Sequence, residues 1–263
     1  RPLLVGGPHA TFCTEEVLAL PGVTACVRGE GEEPALAFLE GKEADGLLFK
    51  GSRGRGAGRL ADLSSLPLPH RKLFYGSRYF TLEERIVGHE LSATRGCVLS
   101  CTYCTNPALL SLYGKAFVRR APVELVLREA SEALKLNPKV RLFGFHDDIF
   151  TLDLPWLEEF ARRWKEEICL PFWANSHAVF LDRERVRLLK EAGCVRIHLG
   201  VECGSEKLRR EVLGRRETNE DLLRAAELLR RNGIKIACFV MLGVPGETEE
   251  SFKKTVDLLR RIR

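Results

Sequence analysis

The sequence predicts an α/β protein in two parts: the end of a doubly wound parallel sheet, then an open series of strand–helix units curling into a partial barrel. Three observations predict it. Short apolar runs alternate with amphipathic stretches of helical period, the pattern of parallel sheets covered by helices. A glycine- and proline-bearing stretch from residue 46 to 88 interrupts that alternation. The stretch after it, roughly 175 residues, holds five strand–helix units, too few for a closed eight-unit barrel of about 250. The division read from this is 1–45, a connection over 46–88, and 89–263.

Leu3-Leu4-Val5 reads as a short buried strand ending at Gly6-Gly7-Pro8-His9. A helix is expected from Thr14 to Leu20, with Glu15 and Glu16 in its first turn where the helix dipole favours acids. A second strand, 23–28, ends at Gly29-Glu30-Gly31-Glu32, and a helix follows at 34–39. Residues 46–60 read as a hairpin or loose connection whose glycines supply turns. Arg53, Arg55 and Arg59 there are either flexible linker or a phosphate grip, and Leu66-Pro67-Leu68-Pro69 stiffens the path onward.

From His89 the pattern is regular. Strands are expected at 90–94, 140–145, 171–175, 195–201 and 234–242. Between them lie helices at 122–136, with Val123, Val126, Leu127, Ala130 and Leu134 on one face, and at 155–168. A third runs from Asp182 to Ala192 and stops at Gly193, and a short one covers 206–213. Thr218 with Asp221 three residues on marks a capped helix ending at Gly233, and the last helix starts near Thr248.

The first strand of this second part delivers Thr94-Arg95-Gly96-Cys97-Val98-Leu99-Ser100-Cys101-Thr102-Tyr103-Cys104, three cysteines spaced C-x₃-C-x₂-C. Thiolates ligate iron–sulfur clusters, and a four-iron cluster on three of them leaves one iron open. A partial zinc site completed by His146 or Cys169, or thiols packed as small hydrophobes, are the other readings of three close cysteines. The motif, with Tyr103 before the third cysteine, resembles the radical S-adenosylmethionine (SAM) signature. That resemblance implies a 4Fe-4S cluster on Cys97, Cys101 and Cys104, with the open iron chelating SAM. One electron from the cluster then cleaves SAM to a 5′-deoxyadenosyl radical. It also implies a partial barrel of six units, truncated here before strand six, with Tyr103 near the adenine.

The resemblance extends to the other strand ends. Phe145-His146-Asp147-Asp148 resembles the acidic motif after strand two in cobalamin-associated members, and implies a hydrogen bond from the SAM ammonium to Asp147 or Asp148. The alternative is that the aspartates cap the next segment. Gly200-Val201-Glu202-Cys203-Gly204 resembles the family's Gly-Val-Glu-Ser-Gly, with Glu202 toward the ribose or amino group and a cysteine in place of serine. Gly243-Val244-Pro245-Gly246-Glu247-Thr248 matches the turn whose small residues, Gly243 and Pro245 among them, let backbone approach the adenine. Arg210 or Arg215 is either a partner for the SAM carboxylate or a surface ion pair. Asn175 and His177 point toward substrate or are satisfied loop groups, and the other five cysteines read as packing residues. Upstream, Gly6-Gly7-Pro8-His9 with Arg28-Gly29-Glu30-Gly31 resembles the closing third of a cobalamin-binding domain, whose glycine pair lies against the cofactor's nucleotide tail; His9 reads as a surface residue.

Composition narrows the function. The chain has 263 residues, 45% hydrophobic and 29% charged, with no apolar run long enough to span a membrane. Net charge is +5 and interleaved along helices, so the faces read as solvated rather than nucleic-acid binding. Nine cysteines without a secretory pattern point to a reducing, cytoplasmic setting, and the opening Arg1 to a cut through a longer protein. The expected activity is therefore a cobalamin-dependent radical SAM enzyme transferring a methyl group to an unactivated carbon or phosphorus of a small-molecule or natural-product substrate. A flavodoxin or ferredoxin would supply the electron. Ring closure or rearrangement with the same cofactors is the alternative chemistry, and an iron–sulfur electron-transfer or binding module the alternative class.

Overall fold

The structure is a computed structural model and describes residues 1–52, 56–73 and 88–263. Arg53 and Arg55 lie outside the described residues; Arg59 forms an exposed pair with Asp45 at 3.4 Å. The chain forms two compact units, Arg1–Leu66 with Thr105–Phe117, and Pro67–Cys104 with Val118–Arg263.

In the first unit β1 (Leu4–Val5) pairs parallel with β2 (Ala25–Val27), and β3 (Leu47–Phe49) pairs antiparallel with β2. Where one helix was expected there are two, α1 (Pro8–Phe12) and α2 (Thr14–Ala19). Pro8 suits a first helical turn, and Cys13 at φ −121°, ψ 41° breaks the run. Cys26 packs with Ala10 and Val17, while Ala25 packs with Ala37 of α3 (Glu32–Glu40) and Leu47, so β2 is buried on both faces. The loops after β1 and β2 both lie at carboxyl ends of parallel strands. Buried Thr11 fastens them together: its hydroxyl donates to Gly7 O at 2.9 Å and accepts from Gly29 N at 3.0 Å.

The first unit also takes in α4 (Asn106–Tyr113), which follows the cysteine loop in sequence. The Tyr113 hydroxyl accepts from Glu30 N at 2.9 Å and donates to Gly58 O at 2.8 Å. A Cβ on Gly29, whose φ is +89°, would lie 1.8 Å from that hydroxyl, so glycine there is obligatory. The helix escaped the sequence reading because Leu109, Leu110 and Leu112 are spread around it rather than gathered into one stripe.

The second unit is a five-stranded parallel sheet in the order β4 (Gly88–Leu91), β7 (Leu142–Phe145), β8 (Phe172–Ser176), β9 (Cys194–Glu202) and β10 (Lys235–Val240). Chain order equals spatial order, the arrangement of a barrel wall built by right-handed crossovers. The expected strand 90–94 divides. β4 ends at Leu91, and β5 (Thr94–Arg95) instead forms an antiparallel ribbon with β6 (Arg119–Arg120). The helices are α5 (Val123–Leu136), α6 (Leu154–Glu167), α7 (Arg183–Glu191), α8 (Glu206–Glu211), α9 (Asn219–Arg231) and α10 (Glu249–Ile262). The capping box holds: Thr218 Oγ1 accepts from Asp221 N at 3.1 Å while Asp221 Oδ2 accepts from Thr218 N at 2.9 Å.

One face of the sheet is packed with rings. Phe143, Phe145 and Phe172 from the strands meet Phe160 and Trp164 of α6, with centroids 5.1–5.8 Å apart and mostly edge-on. Edge-to-face geometry suits their quadrupoles, and all five are fully buried. This face is the core; the alternate residues of each strand point the other way.

Candidate functional site at the carboxyl ends of the strands

The cysteine loop is held from two sides. Asp147, just past β7, is 1% exposed; its Oδ1 accepts from the Thr94 hydroxyl at 2.6 Å and its Oδ2 from Ala93 N at 3.0 Å. Burial raises its pKa, with Thr94 and Ala93 pulling against that shift. Across the loop, Thr102 N donates to Leu213 O at 3.1 Å and its hydroxyl to Val212 O at 2.6 Å. Gly214, at φ +68°, lets the backbone approach Ser100 O.

Cys97 and Cys101 are buried and Cys104 is half-buried. Burial pushes the Cys97 thiol up to about 11; a hydrogen bond from Leu99 opposes this, and the charges of Asp148, Cys101 and Cys104 add to it. Each of those three groups is thus near enough for its charge to be felt at Cys97. Cys101 is also raised by burial, with Arg215 drawing it back. Three soft thiols on one loop are the kind of donors an iron–sulfur centre takes, and a bound metal would hold them as thiolates against that upward shift. The zinc reading loses its fourth ligands. His146 Nε2 is engaged by Glu90 at 3.0 Å, and Cys169 lies ahead of β8, at the opposite end of the strands. Among the described residues no group of three or more His, Cys, Asp or Glu, the three loop cysteines included, is drawn together closely enough to hold a metal ion.

Asp147 and Asp148 separate cleanly. Both oxygens of Asp147 are buried and accept from Ala93 and Thr94, so this side chain braces the start of the cysteine loop. Asp148 is exposed and its charge reaches Cys97. Strand alternation carried this signal: Asp147 continues the parity of Phe143 and Phe145, Asp148 that of Gly144 and His146.

Glu202 ends β9 with φ +59°, a backbone state side chains rarely adopt, and its carbonyl accepts from Met241 N at 2.8 Å. Its Oε1 accepts from Arg215 Nη1 at 3.1 Å. Burial raises its pKa, with Arg215 and a hydrogen bond from Tyr103 pulling down. A Cβ on Gly200 would lie 2.6 Å from that oxygen, so only glycine admits the pair. Arg215 also donates from Nε to Glu217 at 2.6 Å, from Nη2 to Gly200 O at 2.8 Å, and from Nη1 to the Tyr103 hydroxyl at 3.2 Å. Four of its five N–H groups are thus directed at the protein. Arg215 is a buried brace between the cysteine loop and β9, neither the surface pair nor the free carboxylate hook expected. Arg210 is exposed beside Glu211 at 3.7 Å.

Sequence reasoning missed the rest of this network. Glu217, 5% exposed, accepts from Arg215 and sits 3.2 Å from His177 Nε2, while His177 Nδ1 accepts from Val179 N. Burial alone would raise Glu217, but His177 and Arg215 outweigh it and bring it down to about 2. Fully buried Arg209 donates to Cys203 O at 2.7 Å and Glu217 O at 3.0 Å. Arg209 and Glu217 lie in a charge-rich run that reads as solvated surface, so no local signal marks them. A cavity of about 400 Å³ opens beside the network, lined by Ser100, Cys101, His177, Arg216 and Glu217 among others. Arg216 is exposed in that wall.

The turn after β10 forms as expected. Gly243, at φ +74°, donates its N–H to Glu247 Oε2 at 2.8 Å, Pro245 is exposed and Val244 is buried. Cys203 is fully buried against Leu213 and Val244, an inert packing thiol. In the first unit Gly7 sits at φ +101°, and among the described residues nothing lies within 4 Å of where its Cβ would be. A glycine demanded by the backbone and open above is a ledge a flat group can approach; Gly6 next to it is 3.6 Å from Val27 by the same measure.

The chain resembles an uncharacterized methyltransferase of Pyrococcus horikoshii, 27% identical over 99% of this chain and 58% of that protein. It also resembles the cytidylyl-2-hydroxyethylphosphonate methyltransferase of Streptomyces wedmorensis, 24% identical over 96% of this chain and 55% of that protein. It thus spans a little over half the length of these curated relatives. Among solved structures, the radical SAM methyltransferase TsrM from Kitasatospora setae, with cobalamin and a [4Fe-4S] cluster bound, superposes with a TM-score of 0.74 at 22% identity. That match covers 99% of this chain and 53% of TsrM. The Radical SAM superfamily model matches residues 91–259, from the strand before the cysteines to the last helix. With three cysteines on a braced loop at the mouth of an open parallel sheet, the chain belongs to the radical SAM superfamily.

Proposed function

We propose that this chain is part of a cobalamin-dependent radical SAM methyltransferase, with residues 1–45 closing a cobalamin-binding domain and 89–263 forming the barrel. The observation that carries the reading is the cysteine loop, braced by Asp147 and Arg215, with Asp148, Glu202 and Arg216 on the same carboxyl side of the sheet. When bound, the cluster supplies the electron that cleaves SAM and cobalamin carries the transferred methyl group. Cys97, Cys101 and Cys104 would hold the cluster. Asp148 would accept from the SAM ammonium, and Arg216 would face its carboxylate. Glu202, whose Oε2 is not engaged by Arg215, would accept from the ribose or amino group. Tyr103 and the Gly243–Pro245 turn would line the adenine, and Gly6 and Gly7 would leave room for the cobalamin tail. Thr11 would keep both glycine loops of that unit in register. The methyl acceptor is an unactivated carbon or phosphorus of a small molecule, with a reduced flavodoxin or ferredoxin as donor in a reducing compartment. No helix among the described residues is long and apolar enough to cross a membrane.

The test is anaerobic electron paramagnetic resonance of the reconstituted, reduced full-length protein with and without SAM. A four-iron signal that shifts on SAM addition supports the open iron, and product mass then separates methylation from ring closure. A signal indifferent to SAM points to an electron carrier.

The two aspartates give a sharper comparison. Asp148→Asn is expected to weaken SAM binding about tenfold, since an exposed charge-assisted contact is lost. Asp147→Asn is expected to cost about 1–3 kcal/mol of stability, because an amide cannot accept at both positions. Calorimetric SAM titration and urea unfolding of each variant check the pair; equal SAM affinities would remove Asp148 from the site.

A further inference from the structure

Closed parallel barrels fill their interiors with bulky branched side chains. The face of this sheet turned away from the ring core is different. Small residues, Gly144, Gly200 and Ala237, stand beside rings. In register, Gly144 pairs with Trp173, His198 with both Asn175 and Ala237, and Gly200 with Phe239. Trp173 lies flat across β7: a Cβ on Gly144 would be 2.2 Å from the indole, so glycine makes its bed. His198 stacks on the indole with centroids 4.5 Å apart and planes 20° off parallel. His146 meets the indole edge-on at 4.9 Å, and Phe239 meets His198 edge-on at 5.4 Å. At one end His146 pairs with Glu90; at the other Phe239 is 53% exposed. Trp173 and His198 are only half-buried.

These four rings form one continuous ladder across the sheet whose carboxyl ends carry the cysteines, Asp148 and Glu202. We infer that it is the substrate floor, and that the substrate class is a flat conjugated ring seated on His198 and Phe239. The carbon acted on then lies on the ring or next to it. An aliphatic chain would be served by the branched side chains that parallel barrels ordinarily place here. The ladder instead offers ring faces and edges, which discriminate by quadrupole geometry as well as by area. The polar Glu90–His146 pair closes one end, so an apolar ring with one polar edge matches both ends. This inference rests on the reading of the site as a radical SAM methyltransferase and adds the shape of what it acts on.

The test uses the reconstituted full-length protein and two probes of the same carbon skeleton, naphthalene-2-carboxylate and its puckered, saturated counterpart decahydronaphthalene-2-carboxylate, titrated calorimetrically with SAM titrated separately. The flat probe is expected to bind about tenfold more tightly than the saturated one. Phe239→Leu, which keeps the bulk and removes the ring, and His198→Ala are each expected to bring that ratio to within about twofold while SAM affinity stays as in the parent. Equal binding of the two probes, binding of neither, or a preference that survives both substitutions would overturn the ring floor. Failure of SAM to bind the parent would instead sink the functional reading, and the probe ratio would still report on the floor by itself.

Discussion

Cys101→Ala, reconstituted with iron and sulfide under argon, is expected to lose the four-iron signal and to form no 5′-deoxyadenosine above background. That is a loss of at least about a thousandfold, or more than about 4 kcal/mol of transition-state stabilisation. Two thiolates on a loop of this span cannot retain a cluster that already has one iron without a protein ligand. The control is Cys203→Ala. Cys203 is equally buried but packs against Leu213 and Val244, so its removal leaves a small cavity and intact iron content. Iron analysis and product chromatography on the pair decide the matter. Full iron in Cys101→Ala would return the three thiols to packing.

The second large effect concerns stability. Arg215→Met leaves Glu202 and Glu217 buried without their shared cation, and breaking a buried pair in this way costs about 3–5 kcal/mol. The pH dependence carries a sign. Glu217 is held down to about 2 from an ordinary 4.5. The native state therefore resists its protonation, and the stability it contributes is complete above about pH 4.5 and is lost as pH falls toward 2. By linkage that contribution reaches at most about 3 kcal/mol. Glu202 is raised, so its contribution runs the other way and is lost as pH rises through its folded pKa. Urea midpoints measured down the acid limb should fall steeply in the parent and flatten in Glu217→Gln. In Glu202→Gln the acid limb should steepen. Parallel limbs in all three proteins would mean that the network titrates as isolated groups.

Most of the fold was legible because it is periodic. The five parallel strands, the amphipathic face of α5 and the Thr218–Asp221 box are each fixed by residues close in sequence. What was not legible depends on partners far apart. Tyr113 finds Glu30 and Gly58 across 83 and 55 positions, and no local pattern announces such a bond. Arg215 and Glu217 look like any exposed pair in a charged run until β9 and the cysteine loop close over them. The roles of Asp147 and Asp148 lay between these cases. Strand parity separates them, but only once β7 is known to continue its alternation past Phe145.

The bond from Tyr113 to the backbones of Glu30 and Gly58 has a consequence for biogenesis. Glu30 N and Gly58 O emerge from the ribosome well before their partner hydroxyl exists, and the hydrophobic residues of α4 come later still than β1, β2 and β3. The first unit therefore cannot be completed from residues 1–66 alone during synthesis. It stays unfinished until Tyr113 has left the exit tunnel, by which time all three cysteines of the loop have been made. A truncation ending at Leu66 would leave that unit permanently open, and one beginning at Pro67 would carry a leucine-rich helix with no partner to cover it, an aggregation hazard in either direction.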